Sequence, residues 1–271
     1  MDYILYLLIF CMGTLFGSFF TLAVYRIPLR QDIVHTRSYC PKCNHKLSFL
    51  DMIPILSYTF LGGKCRYCKE IIRPRYLLLE VLSGLVFVLF ALSVQFHITT
   101  LSISMLVYLA FGFLYIATLF IIAGIDKEKI EVSKPVLLFG FICVTLYIIY
   151  LYIVEKDPNM YRYVIYLACA CILSLISIVY LRKKAEQSYP IDILLLSILM
   201  VMFTYETCGI YTIMMTLIAI AFQMLITKLV HRKKKFVKET ETKVPTIPIA
   251  FYMCVANISV LLLTNLYIFY R

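Results

Sequence analysis

Two Cys-x-x-Cys pairs are the residues of this 271-residue chain whose type and spacing point most directly to chemistry. They are Cys40/Cys43 and Cys65/Cys68, and twenty-one residues separate one pair from the other. Two such pairs at this separation are typical of a tetrahedral zinc site with four thiolate ligands. Four thiolates leave no open coordination position, so the zinc that this pattern predicts is structural rather than catalytic.

Two alternatives remain open for the cysteine segment. A nearby histidine, His35 or His45, can replace a thiolate as a zinc ligand. Thioredoxin-like redox chemistry also uses a Cys-x-x-Cys pair, but no βαβ pattern surrounds either pair here. The pattern therefore favours a metal site.

Asp126 and Asp192 form a second candidate site. Asp126 ends one hydrophobic segment in "IIAGIDKEKIE", and Asp192 begins another in "SYPIDILLL", so alternating spans place both at the same membrane face. Two close carboxylates at low dielectric share a proton, which lets one deprotonate a water while the other protonates a scissile carbonyl. Spacing alone does not bring them together. Pairing of Asp126 with Lys127 or Lys129, and dipole stabilisation of Asp192 in a first helical turn, remain open.

Two further carboxylates, Glu80 and Glu206, lie in or at the edge of hydrophobic segments. Membrane proteins seldom bury such groups without a purpose. We expect Glu80 to pair with Arg73 or Arg75 and Glu206 to be solvated.

The elements that must position these residues are membrane helices. Hydrophobic residues make up 62% of the chain and charged residues 15%, which excludes an ordinary soluble domain. Because a helix needs about 20 apolar residues to cross a bilayer, we predict an all-α polytopic membrane protein with about eight transmembrane helices. The predicted helices cover residues 3–25, 77–95, 101–125, 135–154, 161–181, 190–206, 209–228 and 246–270. The predicted domains are helix 1 (1–25), a zinc-binding loop domain (26–76) and a seven-helix peptidase domain (77–271).

Basic residues predict the topology. All but three of the 26 Lys and Arg fall in alternate loops, the exceptions being Lys156, Arg162 and Arg271. The positive-inside rule then places both termini outside and the zinc-binding loop in the cytoplasm, where thiols stay reduced. The basic run at 231–243 is expected to be solvated or to face anionic lipid, and no nucleic-acid binding is expected.

Four motifs in the N-terminal third carry a resemblance to a known family. They are "GSFFTLAVYRIP" (17–28), "RSYCPKC" (37–43), "DMIPILSY" (51–58) and "GGKCRYCKEIIRPRYLLLEVLSG" (62–84). In this order and spacing they resemble the type IV prepilin leader peptidases. The segment "VPTIPIAFYMCVA" (244–256) is similar to the last helix of that family.

The resemblance implies a bifunctional enzyme of the bacterial cytoplasmic (inner) membrane. Such an enzyme cleaves the basic leader from a prepilin or pseudopilin and then methylates the new N-terminus with S-adenosylmethionine. The catalytic aspartates of the family fall on Asp126 and Asp192. Its zinc-binding cysteines fall on Cys40, Cys43, Cys65 and Cys68, whereas the residues that bind the methyl donor are unknown.

The chain departs from the family at the second aspartate. Where the family has Gly-x-Gly-Asp, this chain has Tyr189, Pro190, Ile191 and Asp192, and the lysine usual two residues later is Leu194. Losing both glycines stiffens this backbone. The departure supports an alternative, a non-catalytic membrane scaffold of a pilus or secretion assembly derived from a peptidase. A zinc-regulated transporter is disfavoured because the helices carry few charges.

Overall fold

The computed structural model describes residues 2–33, 35–97, 102–156, 160–181, 189–204, 206–234 and 247–269. Within these residues each of the eight predicted hydrophobic segments contains a helix, and one more short helix lies in the polar loop between the first two. The helices are α1 Asp2–Arg26, α2 Leu56–Phe60, α3 Arg75–Ser93, α4 Ile103–Lys129, α5 Lys134–Tyr150, α6 Met160–Leu181, α7 Tyr189–Phe203, α8 Glu206–Lys234 and α9 Ile249–Phe269.

Seven of these described helices are long and apolar enough to cross a membrane. The exception among the eight predicted spans is α7, which has only 15 residues. At about 1.5 Å per residue it is shorter than the hydrocarbon core of a bilayer. The prediction of an all-helical, multi-pass membrane protein is confirmed. The basic run at 231–243 lies largely outside the described residues.

The chain divides into two compact units, Met1–Gly124 with Asn265–Arg271, and Ile125–Thr264. In the first unit α1 packs closely against α3. A Cβ added at Gly13 would lie 2.8 Å from the Cα of Gly84, so only glycine permits this approach. The hydroxyl of Ser83 donates to the carbonyl oxygen of Gly13 across the contact (2.8 Å). The small residues in "GTLFG" (13–17) therefore pack helices within the chain, as their spacing favours.

A buried arginine connects the end of α1 to the cysteine segment. The guanidinium of Arg26 donates to the carbonyl oxygens of Asp32 (2.9 Å), Thr36 (2.8 Å) and Arg37 (3.2 Å). It also lies 5.7 Å from the ring centre of Tyr39, next to the first ligand cysteine. These contacts compensate the burial of the charge and order the chain between the membrane helix and the cysteines.

In the second unit α7 packs against α5, α6 and α8. Interhelical hydrogen bonds supplement this packing: the Asn257 side chain donates to the Thr212 hydroxyl of α8 (3.2 Å). Such bonds are effective within a bilayer because hydrocarbon offers polar groups no other partner. Helix α7, which carries Asp192, is thus held on several sides.

Candidate metal centre and candidate aspartate site

The four cysteines lie on two backbone loops of the same design. In each loop the N–H of the first cysteine donates to a carbonyl five residues later, Cys40 to His45 (3.0 Å) and Cys65 to Glu70 (2.8 Å). The residue after the second cysteine has a positive φ, 55° at Asn44 and 61° at Lys69. Every position of the second loop lies 25 residues after its counterpart in the first. The sequence therefore builds the same turn twice and directs two sulfurs from each toward one point.

The sulfur positions fit a zinc ion. All four Sγ atoms lie within 4.8 Å of one another, and Cys40 Sγ is 3.8 Å from Cys68 Sγ. With zinc–sulfur bonds of about 2.3 Å, a tetrahedral site needs sulfurs about 3.8 Å apart. The geometry therefore confirms that the four predicted cysteines come together as a site that can hold a metal ion, and a zinc ion bound there would supply structural cross-linking.

The backbone prepares Cys40 for metal binding. Burial would raise the pKa of the Cys40 thiol, but backbone N–H groups of Cys43 and Lys42 face the sulfur and lower that pKa to about 7. The thiolate is the form that binds metal. Four adjacent sulfurs cannot all ionise without a compensating cation, which is the charge that zinc would supply.

Asp51 braces this centre, and the sequence analysis missed it. Its carboxylate accepts hydrogen bonds from the Ser48 hydroxyl (2.7 Å) and from Nε of Arg66 (2.6 Å), and Arg66 lies in the second cysteine loop. Burial would raise the pKa of Asp51, but these donors outweigh it and lower the pKa to about 2. The signal was present as Ser-x-x-Asp, the capping-box spacing, at Ser48 and Asp51.

The two histidines near the cysteines have other contacts. The ring centre of His45 lies 3.6 Å from that of Tyr67, which connects the first loop to the second. His35 Nδ1 lies 3.5 Å from a carboxylate oxygen of Asp32. Of the described residues, only the cysteines make up the cluster.

Asp126 lies fully buried in the last turn of α4. Its Oδ1 accepts a hydrogen bond from the Tyr189 hydroxyl (2.7 Å), and its Oδ2 accepts one from the backbone N–H of Phe251 (2.8 Å). The neighbouring Lys127 places its ammonium 4.8 Å from the ring centre of Phe251. Asp126 therefore contacts residues of α7 and α9. The pairing with Lys127 or Lys129 that the sequence left open did not include these contacts.

Asp192 lies in the first turn of α7 and its side chain is 3% exposed. Tyr189 precedes it by three residues, so the two share one face of the helix. Since Tyr189 reaches Asp126, the structure brings Asp126 to the end of α7 on which Asp192 lies. Lys134 Nζ is 4.0 Å from Asp192 Oδ1 and donates to the Ser177 hydroxyl (3.2 Å).

The other two membrane-edge carboxylates have structural partners. Glu80 accepts a hydrogen bond from the backbone N–H of Ile55 (2.8 Å), a residue with φ 61° and ψ −53° that is strained for a β-branched side chain. Glu206 accepts one from the Tyr166 hydroxyl (2.6 Å) and lies 3.8 Å from Arg162. Glu80 therefore holds a loop backbone, and Glu206, which is exposed as expected for a solvated group, also has partners on α6.

Comparison with known proteins finds similarity in the N-terminal third of the chain. Residues 11–94 match the Bacterial Peptidase A24 N-terminal domain. Three curated relatives are each named prepilin leader peptidase/N-methyltransferase. The protein from Myxococcus xanthus is 44% identical over 79 residues, which are 29% of this chain and 24% of that relative. The protein from Klebsiella pneumoniae is 32% identical over 126 residues (44% of this chain, 51% of the relative), and that from Bacillus subtilis 35% over 107 (38% and 43%).

The chain thus spans about half or less of these curated relatives. No solved structure matches it. The fold and the cysteine site define a multi-pass membrane protein with a four-cysteine cluster that can hold a metal ion, and residues 11–94 are similar to the Bacterial Peptidase A24 N-terminal domain. The resemblance to prepilin leader peptidase/N-methyltransferases, first seen in the sequence motifs, is confirmed.

Proposed function

We propose that this protein is a membrane aspartic endopeptidase that removes the leader peptide of type IV prepilins or pseudopilins. The observation that carries the proposal is the match of residues 11–94 to the A24 peptidase N-terminal domain. The names of the similar curated proteins supply the substrate class and the second activity, N-methylation of the new N-terminus. We place the enzyme in the bacterial inner membrane with both termini outside, because its basic residues fall in alternate loops.

Asp126 and Asp192 are the catalytic pair in this proposal. One carboxylate removes a proton from water as the water oxygen attacks the scissile carbonyl carbon, and the other gives its proton to the carbonyl oxygen. Collapse of the tetrahedral intermediate breaks the carbon–nitrogen bond, as the departing amine takes the proton that the first aspartate removed from water and the second aspartate regains its proton from the hydroxyl of the intermediate. The hydrogen bond from Tyr189 to Asp126 supports the pairing, since Tyr189 lies one helical turn before Asp192 on α7.

The second reaction acts on the amine that cleavage releases. The amine must lose a proton before its nitrogen can accept a methyl group, for which S-adenosylmethionine is the donor that the family resemblance implies. The residues that bind this donor are not assigned. The four cysteines contribute by holding a structural zinc that orders the loop between α1 and α3.

One co-expression experiment tests both activities. The full chain and a candidate prepilin are produced together, and the mass of the prepilin N-terminus is measured. Loss of the leader with addition of one methyl group supports the full proposal, whereas an unmethylated cleaved product supports the peptidase alone. An intact leader with every prepilin tested would contradict the proposal and favour the non-catalytic scaffold, which the altered motif at Tyr189–Asp192 suggests.

A further inference from the structure

Tyr189 stands where the resembling family has the first glycine of its aspartate motif. The substitution does more than remove backbone freedom, because Tyr189 reaches across from α7 to Asp126 on α4. A glycine has no side chain that could make this contact. The chain therefore contains a contact at its proposed catalytic site that the motif itself does not provide.

The direction of the hydrogen bonds at the Tyr189 hydroxyl follows from its neighbours. The backbone N–H of Ile249 donates to this oxygen at 3.0 Å, and that of Ala250 approaches it at 3.4 Å. An N–H group can only donate, so the single hydroxyl proton is left for Asp126 Oδ1 at 2.7 Å. The hydroxyl thus accepts from α9 and donates to Asp126.

The second oxygen of Asp126 is also an acceptor. Phe251, the third residue of α9, donates its N–H to Asp126 Oδ2 at 2.8 Å. The first N–H groups of a helix lack partners within the helix, and its N-terminus favours negative charge. Asp126 and Tyr189 therefore accept hydrogen bonds from the first backbone N–H groups of α9. Because both oxygens of Asp126 accept a hydrogen bond, its carboxylate is held in one orientation.

Asp192 is held differently. Lys134 Nζ, on α5, lies 4.0 Å from Asp192 Oδ1, beyond hydrogen-bond length, and donates to Ser177. Asp126 is thus the carboxylate of the proposed pair that Tyr189 contacts directly.

We propose that Tyr189 is a positioning residue that orients the Asp126 carboxylate for its part in peptide-bond cleavage. This inference rests on the proposed peptidase function. Tyr189 does not touch the substrate in this account, and acts only through Asp126.

The test is a comparison of leader removal by the full-length wild type and Tyr189→Phe. The variant keeps the ring and loses only the hydroxyl, so kcat should fall on the order of tenfold or more, with little change in KM. Tyr211→Phe is the matched control, because Tyr211 is 60% exposed and lies near the start of α8, which follows the opposite end of α7 from Tyr189. The control should retain the wild-type kcat.

A second variant distinguishes whether Tyr189 orients Asp126 or instead blocks the proposed catalytic site. Tyr189→Gly restores the glycine of the family motif and also lacks the hydroxyl, so it should be slower than the wild type. An increase in kcat for Tyr189→Gly or Tyr189→Phe would overturn the inference, since it would mean that Tyr189 obstructs the site. An unchanged kcat in Tyr189→Phe would overturn it as well.

Amide hydrogen exchange gives a readout that does not depend on activity. In Tyr189→Phe the amides of Ile249 and Ala250 lose their acceptor, so the peptide that covers them should exchange faster than in the wild type and in Tyr211→Phe. Unchanged exchange would contradict the contact itself. Failure of the wild type to cleave any prepilin would refute the proposed function and, with it, this role in catalysis, whereas the exchange result would still test the contact.

Discussion

The cysteine centre and the aspartate site are built in opposite ways. All four cysteines come from one segment of the chain, Cys40 to Cys68, and local backbone hydrogen bonds set the geometry of each pair. The aspartate site takes residues from α4, α7 and α9, and the contacts of Asp126 bridge 63 residues to Tyr189 and 125 residues to Phe251. A local site depends on turn geometry, while a dispersed site depends on how helices pack. The two sites should therefore respond differently to mutation.

The largest expected effect is at the local site. Replacing Cys40 and Cys65, the two buried ligands, with serine removes half of the thiolates. Structural zinc supplies about 10 kcal/mol or more of folding free energy in small metal domains, so we expect zinc content to fall from one ion per chain to none. Cys143→Ser is the control, because Cys143 is buried in α5 and distant from the cluster in sequence. Elemental analysis of the purified protein measures the result, and full retention of zinc by the double variant would contradict the assignment.

Asp51→Asn tests whether the centre also needs its carboxylate brace. The variant loses the charge that Arg66 and Ser48 stabilise, which should lower stability by about 1 kcal/mol and lower the temperature at which zinc is released. The pKa of Asp51 is lowered to about 2 in the folded protein, below an unfolded value of about 3.9. Its contribution is therefore complete above that unfolded value and is lost only as the pH falls toward 2.

The difference in release temperature between wild type and Asp51→Asn should accordingly be the same at pH 7 and pH 5.5. Glu70→Gln is the control, since Glu70 is exposed and lies 4.0 Å from Lys42. It should change the release temperature little. If the difference in zinc-release temperature between wild type and Asp51→Asn disappears at pH 5.5, the hydrogen bonds from Ser48 and Arg66 are not what stabilises the Asp51 carboxylate.

The smallest effect distinguishes the two loops of the cysteine centre. Asn44 and Lys69 occupy equivalent positions with positive φ, and asparagine tolerates this conformation better than lysine. Lys69→Gly should therefore stabilise the centre by about 1 kcal/mol, whereas Asn44→Gly should be nearly neutral. Zinc-release temperature measures both variants. Equal gains in the two loops would contradict this account of the backbone strain.

The same contrast explains how much could be predicted from sequence. The helices follow from hydropathy, and the cysteine site follows from spacing because its geometry is local. For the aspartates, topology and resemblance selected Asp126 and Asp192, but nothing in a short pattern indicated that Phe251 would donate to Asp126. Tyr189 was visible only as a lost glycine, since its contact with Asp126 depends on the packing of distant helices. Likewise, no short pattern indicated that Glu80 would accept a hydrogen bond from the backbone N–H of the strained Ile55.

The most direct test of the central claim is the rate of leader removal by purified Asp126→Asn and Asp192→Asn. Each variant should lose on the order of a thousandfold or more of the wild-type rate, because neither amide can exchange the proton that the reaction requires. Glu128→Gln, an exposed acid-to-amide change two residues from Asp126, should cleave at the wild-type rate, and all three variants should retain one zinc ion per chain. Wild-type cleavage by either aspartate variant would contradict the assignment of Asp126 and Asp192 as the catalytic pair.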